Sequence, residues 1–338
     1  MASFAGAAAA DKDGIVRATS EGEVGMKAMV LRGATLSVEE VEKPRPGPGQ
    51  VVGRVLACGI CGSDLHQARF LDDMLAAMAE SGNTAFDGID PGRCVVMGHE
   101  FVARIEELGP GVEAWQPGDR VITLPVLPAP HMPAGFVSIG YSSDNPGAYG
   151  EYVVMAERFL LRVPDSLPDL VAAATEPCAV GLHAVRRAEM RPGEHALVMG
   201  AGPIGLMTLL WLKHEGVPHV TVTEIAEERR ALAARMGADL VVDPREADPV
   251  AAVKEVVGSQ PPVVFEAIGV PGTLGEAMRL VARGGRVIVE GVCMQPDTIR
   301  PMVGTNKHLR VDFVLGYSAE EYAETLDALA GASSTPRR

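Results

Sequence analysis

The 338-residue sequence predicts an α/β protein of two domains, a β-rich half followed by a doubly wound parallel sheet. Three observations predict it. As far as Thr123, short apolar runs alternate with Pro/Gly turns, the texture of antiparallel strands. Beyond residue 175, strand and helix patterns alternate, the mark of a parallel sheet with crossover helices. At the head of that series, Gly200, Gly202 and Gly205 fall between a strand and a helix.

Residues 1–25 are Ala/Gly-rich and polar without a sustained period, and are read as a disordered extension. The first domain is read over 26–174. Its strands include Val51–Leu56, Val102–Ile105 and Arg120–Thr123, set off by turns at Pro46-Gly47-Pro48-Gly49, Gly109-Pro110-Gly111 and Pro117-Gly118. Phe70, Leu71, Met74, Leu75 and Met78 recur at helical spacing and predict one helix within Ala68–Glu80. Leu124 to Gly150 is Pro/Gly/Ser-rich and is read as loop. The second domain is read over 175–316. Its strands are Ala196–Met199, Val220–Thr223, Leu240–Val242, Val263–Ala267, Arg286–Glu290 and Val311–Leu315. Helices fit Ile204–His214, Ala226–Met236, Pro249–Val257, Thr273–Val281 and, beyond the sheet, Ala319–Ala330. Six strands with intervening helices complete a doubly wound nucleotide-binding unit.

Composition excludes several classes. Hydrophobic content of 47% with 22% charged residues fits a soluble globular protein, and 4% aromatics leaves Ala, Val, Leu and Met to fill the cores. A net charge of −14 argues against nucleic acid or an anionic membrane surface as partner. Cys58, Cys61, Cys94, Cys178 and Cys293 are scattered and odd in number, unlike a disulfide framework. The N-terminus lacks the basic n-region of a signal peptide. The uncharged run Ala196–Leu212 is broken by three glycines and Pro203, and is read as a buried strand-turn-helix rather than a membrane span. These features predict a reduced, cytoplasmic protein.

The glycine turn has the context of a dinucleotide site. Gly200 permits the tight turn, Gly202 lets backbone approach a pyrophosphate, and Gly205 lets the helix pack on the sheet. Pro203 and Ile204 open that helix, whose terminal amides favour negative charge. Glu224 ends the next strand, 19 residues after Gly205, where a carboxylate accepts hydrogen bonds from ribose hydroxyls. It would repel a 2′-phosphate, which favours NAD over NADP. Arg229 and Arg230 weaken that preference, because nearby basic residues can accommodate the phosphate.

Cys61, His99 and the carboxylates Glu100 and Glu176 supply the ligand types of a zinc site with an open position. Cys61 lies on a Gly-flanked turn; the Cys58–Cys61 pair lacks the strand-helix context of a thioredoxin-like redox motif. A Lewis-acid metal followed by a dinucleotide site points to alcohol–carbonyl redox chemistry.

At these residues the chain resembles the medium-chain, zinc-dependent alcohol/polyol dehydrogenases. The likeness runs from about residue 26 to the C-terminus. Gly98-His99-Glu100, continuing to Gly109-Pro110-Gly111-Val112, matches that family's zinc signature, with Ala103 replacing one glycine. Gly118-Asp119-Arg120-Val121 and Gly147-Ala148-Tyr149-Gly150-Glu151-Tyr152 are further landmarks. Glu176-Pro177-Cys178-Ala179-Val180-Gly181 resembles the polyol branch, of the sorbitol, threonine and butanediol type. The resemblance implies a GroES-like catalytic domain and a Rossmann NAD-binding domain. It implies zinc on Cys61 and His99, completed by Glu176 or Glu100 directly or through water. Asp64 would orient the His99 imidazole. Ser63 would receive the substrate hydroxyl proton and pass it, through the cofactor ribose, to His66. Cys178 is read as core, and His183 and His131 as structural or surface residues. A homodimer or homotetramer acting on a small alcohol, polyol or carbonyl substrate is implied.

Three departures qualify the resemblance. Leu124–Gly150 contains no cysteine, so one catalytic zinc is expected and no structural zinc. His66 and His99 are 33 residues apart, a longer spacing that holds the Phe70–Glu80 helix, either a lip over the cleft or a packing insertion. Residues 317–338 begin the family's return to the catalytic domain and stop before its closing segment. Two other readings follow: a zinc-free quinone or enone reductase of the same fold, and a truncated, non-catalytic nucleotide binder.

Overall fold

The site is carried by strand ends, so the register of the strands decides where its residues stand. A computed structural model of the chain describes residues 25–82, 94–131 and 134–334. The expected N-terminal extension lies outside the described residues except for Gly25. The chain divides after Ala174 into two compact units; the second covers Thr175–Ala328, and the first includes the residues from Leu329 onward.

In the first unit β1 (Gly25–Arg32) pairs antiparallel with β2 (Thr35–Glu42). Alternation along β1 buries Met26, Ala28 and Val30, as a half-buried strand requires. β3 (Gln50–Cys58) leads into two helices, α1 (Gly62–Arg69) and α2 (Leu71–Ser81). α2 answers to the one helix expected within Ala68–Glu80, whereas α1 begins before that stretch and was not expected. Phe70 leaves helical geometry at φ −133°, ψ 37°, serving as C-cap of α1 and N-cap of α2. Of the five periodic apolar residues, Met74 alone is fully buried, and Gly82 ends α2 in the left-handed region at φ +64°.

β4 (Cys94–Val96) joins β1 to give the sheet order β2-β1-β4. β5 (Phe101–Leu108) and β6 (Arg120–Thr123) follow. Within the expected loop of 124–150, β7 (Val126–Pro128) and β8 (Phe136–Ser138) form a short antiparallel pair. β9 (Tyr152–Ala156), β10 (Leu160–Arg162) and α3 (Asp169–Ala173) complete the unit. Its main sheet has the order β10-β6-β5-β3-β9. Val51, Phe101, Ala103, Ile105, Val121, Val153 and Met155 fill its core, each contributing roughly 1–3 kcal/mol by burial.

The second unit opens on α4 (Thr175–Ala188), a helix not expected from the sequence because Pro177 and Gly181 interrupt its pattern. Pro177 sits in the first turn, where no amide is lost. Gly181 lies against the next helix, and a Cβ there would stand 2.8 Å from the Met207 carbonyl carbon. Then come β11 (Ala196–Met199), α5 (Pro203–His214), β12 (Val220–Thr223), α6 (Glu227–Arg235), β13 (Leu240–Val242) and α7 (Pro249–Val257). Asp248 caps α7 by accepting from the Val250 amide at 3.1 Å. β14 (Val263–Glu266), α8 (Thr273–Leu280), β15 (Arg286–Val289), α9 (Pro301–Lys307), β16 (Arg310–Phe313) and α10 (Ala319–Ser334) follow. The strand order β13-β12-β11-β14-β15-β16, all parallel, is the doubly wound fold. β11, β12, β14 and β15 are buried along their whole length, as strands covered on both faces must be. Among the described residues, no helix is long and apolar enough to cross a membrane.

Candidate active site: a metal cluster and a dinucleotide turn

In the first unit the strand register builds the cluster. Cys58 of β3 pairs with Phe101 of β5, and the Gly59 amide donates to the Glu100 carbonyl at 2.7 Å. The turn carrying Cys61 therefore runs beside Gly98-His99-Glu100. Ligand atoms of Cys61, His99 and Glu100 all lie within 4.8 Å of one another. His99 and Glu100 are buried and Cys61 is half-buried. Thiol, imidazole and carboxylate so gathered are zinc donor chemistry, and the residues present fit that ion. The glycines are part of the construction. A Cβ on Gly59 would stand 2.2 Å from Glu100 Oε2, and one on Gly98 would stand 2.6 Å from the Tyr149 ring.

Cys61 caps α1. Its amide donates to Asp64 Oδ2 at 3.1 Å, while its sulfur accepts from the Asp64 amide, a reciprocal capping box. Asp64 is buried, with Oδ1 3.5 Å from His99 Nδ1, an ion-pair separation rather than a hydrogen bond. Asp64 Oδ2 also accepts from Tyr149 Oη at 2.7 Å. Burial and the Asp64 carboxylate push the Tyr149 hydroxyl far above its usual range, so it stays a donor. One residue earlier, Ser63 Oγ lies 2.7 Å from Tyr141 Oη. The Tyr141 ring is tilted against His99 with centroids 5.2 Å apart, and burial raises its hydroxyl pKa. His66 is half-buried on α1; burial and then Arg69 hold its imidazole below the usual pKa. Burial, followed by the Asp64 carboxylate, pushes the Cys58 thiol up to about 12, which leaves it protonated and a poor redox partner for Cys61.

In the second unit the dinucleotide turn is made of backbone. Gly200 takes φ +90°, and a Cβ on Gly205 would stand 2.1 Å from the Gly200 carbonyl oxygen. Gly202 has nothing of the protein within 4 Å of its Cβ direction, open space at the N-terminus of α5, where Pro203 and Ile204 begin the helix. Glu224, buried at the end of β12, accepts from the Ala201 amide at 2.9 Å and from the Ile225 and Ala226 amides at 2.8 and 2.9 Å. Arg230 is committed to the Glu224 and Ile225 carbonyls and to Asp243, which Arg245 also grips. Arg229 is exposed on the first turn of α6.

Glu176 is buried in the first turn of α4 and accepts from Tyr317 Oη at 2.9 Å; Tyr317 stacks on Tyr322 with centroids 5.3 Å apart. Cys178 is core: burial pushes its thiol up to about 11, and its carbonyl accepts from the Trp211 indole at 2.8 Å. His183 Nδ1 lies 3.0 Å from Glu321, and His131 is exposed. Sequence reasoning missed Tyr141, Tyr149 and Tyr317. Tyr149 stood within a recognised landmark; the other two carry no local signal. It also missed Glu290, buried after β15, which accepts from Thr208 Oγ1 at 2.6 Å. Burial, reinforced by Glu266, raises its pKa to about 8.

The family description "alcohol dehydrogenase GroES-like domain" matches residues 47–165, and "zinc-binding dehydrogenase" matches 203–331. The chain is 33% identical over 289 residues to (R,R)-butanediol dehydrogenase of Bacillus subtilis, covering 83% of this chain and 82% of that one. It is 30% identical over 283 residues to sorbitol dehydrogenase of the same organism, covering 80% and 76%. A Sinorhizobium meliloti structure described as a zinc-binding dehydrogenase bound to NADP superposes with TM-score 0.77 at 27% identity, covering 92% of this chain and 90% of that one. The chain belongs to the zinc-type medium-chain alcohol/polyol dehydrogenases, oxidoreductases that interconvert alcohols and carbonyl compounds.

Proposed function

We propose that this chain oxidises a small alcohol or polyol with NAD, using one zinc ion held by Cys61, His99 and Glu100. The convergence of those three ligand atoms within 4.8 Å carries the reading. Zinc and NAD, when bound, would supply a Lewis acid that lowers the pKa of the substrate hydroxyl and a hydride acceptor. Of the two carboxylates offered by the sequence, Glu100 is preferred because it stands with the thiol and imidazole. Ser63 takes the hydroxyl proton while Tyr141 Oη holds its side chain, 2.7 Å away. His66, on the same helix, releases the proton to solvent. Its lowered pKa keeps the imidazole neutral and able to accept over a wider pH range.

NAD is preferred over NADP because three backbone amides fix the Glu224 carboxylate where a 2′-phosphate would sit. Arg230 and Arg245 are committed to Asp243, leaving exposed Arg229 as the nearby cation best placed to favour the phosphate. The absence of cysteine from Leu124–Gly150 supports a single zinc. A homo-oligomer is supported by β16, a sheet edge, with Phe313 and Leu315 each 71% exposed nearby. Light scattering on the purified chain tests that part.

Metal analysis coupled to NAD and NADP reduction across an alcohol and polyol panel tests the whole. About one zinc per chain with NAD-linked turnover is expected. Full activity without metal would replace this reading with a zinc-free quinone or enone reductase. Nucleotide binding without zinc or turnover would leave a non-catalytic binder.

A further inference from the structure

We propose that Tyr149 sets the metal affinity of the Cys61–His99–Glu100 cluster, by fixing Asp64 against His99. The inference rests on the metal reading above and adds a positioning residue to it. Tyr149 touches the cluster from two sides. Its ring lies where a Cβ on Gly98 would be, 2.6 Å from that position. Gly98, at φ +97°, is the residue before His99, so the ring packs on the backbone that delivers the imidazole. The Tyr149 amide also donates to the Met97 carbonyl at 2.9 Å, which ties the two segments together.

The hydroxyl acts on the other side. It donates to Asp64 Oδ2 at 2.7 Å, the same oxygen that takes the Cys61 amide at 3.1 Å. Two donors on one oxygen leave Oδ1 as the atom that faces His99 Nδ1 at 3.5 Å. Oδ1 is buried and takes no hydrogen bond from another group, which leaves it open to that ring nitrogen. A carboxylate turned this way would receive the imidazole N–H once the other ring nitrogen is committed to a metal, and would raise that nitrogen's donor strength. Without the phenol, Asp64 can rotate about its terminal torsion, and the imidazole loses its fixed partner.

The test uses the full-length chain with Tyr149→Phe, Asp64→Asn and the double variant. Phenylalanine keeps the ring on Gly98 and removes only the donor. Zn²⁺ affinity is measured by competition with a chromogenic chelator, and the visible d–d bands of the Co²⁺-loaded proteins are recorded. Tyr149→Phe is expected to weaken Zn²⁺ binding about 10-fold, the low end for outer-shell partners of metal ligands, and to shift the Co²⁺ bands. Asp64→Asn should weaken it at least as much. The double variant should be no weaker than Asp64→Asn alone, because Tyr149 acts through Asp64. Wild-type affinity and spectrum in Tyr149→Phe, beside a weakened Asp64→Asn, would overturn the proposal and leave the metal reading intact. Losses that add in full in the double variant would overturn the route through Asp64. A wild-type chain that binds neither ion would remove the metal reading, and this inference with it. A lowered melting temperature with unchanged affinity would reduce Tyr149 to packing and count against the proposal.

Discussion

The metal cluster and the dinucleotide turn are built by different means. The turn is a local backbone device: Gly200, Gly202 and Gly205 lie within one strand-to-helix connection, where a Cβ would collide with protein at Gly200 and Gly205 and meet open space at Gly202. The cluster is assembled from side chains that strand register brings together from positions 61, 64, 99, 100, 141 and 149. A site of the first kind tolerates change everywhere except at a few glycines. A site of the second kind depends on partners that are not themselves ligands.

Breaking the cluster at a ligand gives the largest expected effect. Cys61→Ser should release the metal and reduce alcohol oxidation by more than the ~100-fold that loss of an outer-shell partner can cost. NAD binding, measured by fluorescence titration, should persist because the dinucleotide turn belongs to a separate unit. Loss of both together would mean that the two sites are not independent.

Glu290 probes the floor of the nucleotide unit. Its folded pKa of about 8 lies above the ordinary 4.5, so folding favours the protonated acid. Its contribution is therefore fully present below pH 4.5 and is lost as pH rises through 8. The loss is on the order of 5 kcal/mol. Glu290→Gln keeps an acceptor for Thr208 Oγ1 and removes the ionisation. Its melting temperature should exceed the wild type's at pH 8.5 and approach it near pH 4.5. A difference independent of pH would contradict a raised pKa.

Much of the nucleotide unit was legible because each feature has a short-range cause. Mainly apolar or β-branched strands, Pro203 at a helix start and Gly205 at the turn are read from neighbouring residues, and the strand positions agree to within a residue or two. α4 escaped because Gly181 answers to the close approach of α5, a tertiary cause. In the first unit the ligand types were legible, since Cys61, His99 and Glu100 carry their chemistry in their identity. Their polar supports were not. Tyr141 reaches Ser63 across 78 residues and Tyr149 reaches Asp64 across 85; no local pattern marks Tyr141, and the landmark that holds Tyr149 says nothing of its partner. α1 escaped as well, because the apolar period begins only at Phe70, after α1 has ended.

Two glycines three residues apart sharpen the contrast at smaller amplitude. Gly205→Ala places a methyl 2.1 Å from the Gly200 carbonyl oxygen, and should destabilise the unit by about 1–3 kcal/mol as an overpacking change. Gly202→Ala meets no protein atom within 4 Å and sits at φ −72°. Its stability should stay within about 0.5 kcal/mol of wild type. Its NAD affinity should still fall, since the methyl occupies the space the pyrophosphate needs. Equal stability losses in thermal melts would mean that the Gly202 opening is not a ligand space.

His66 is where the smallest change is expected, because it serves the cluster at one remove. Its imidazole lies on α1 beside Phe70, with ring centroids 6.1 Å apart, and burial keeps its pKa below the usual value. In the proposed relay a neutral imidazole accepts the proton that leaves Ser63, whereas glutamine of similar length cannot. At high pH hydroxide replaces it, so His66→Gln should slow alcohol oxidation chiefly at low pH. The loss should be smaller than the ~10²-fold typical of a direct general base. Zinc content should not change, since His66 is absent from the ligand cluster. A pH–rate profile that shifts downward uniformly, or not at all, would take His66 out of the proton path and leave Ser63 and Tyr141 to open to solvent by another route.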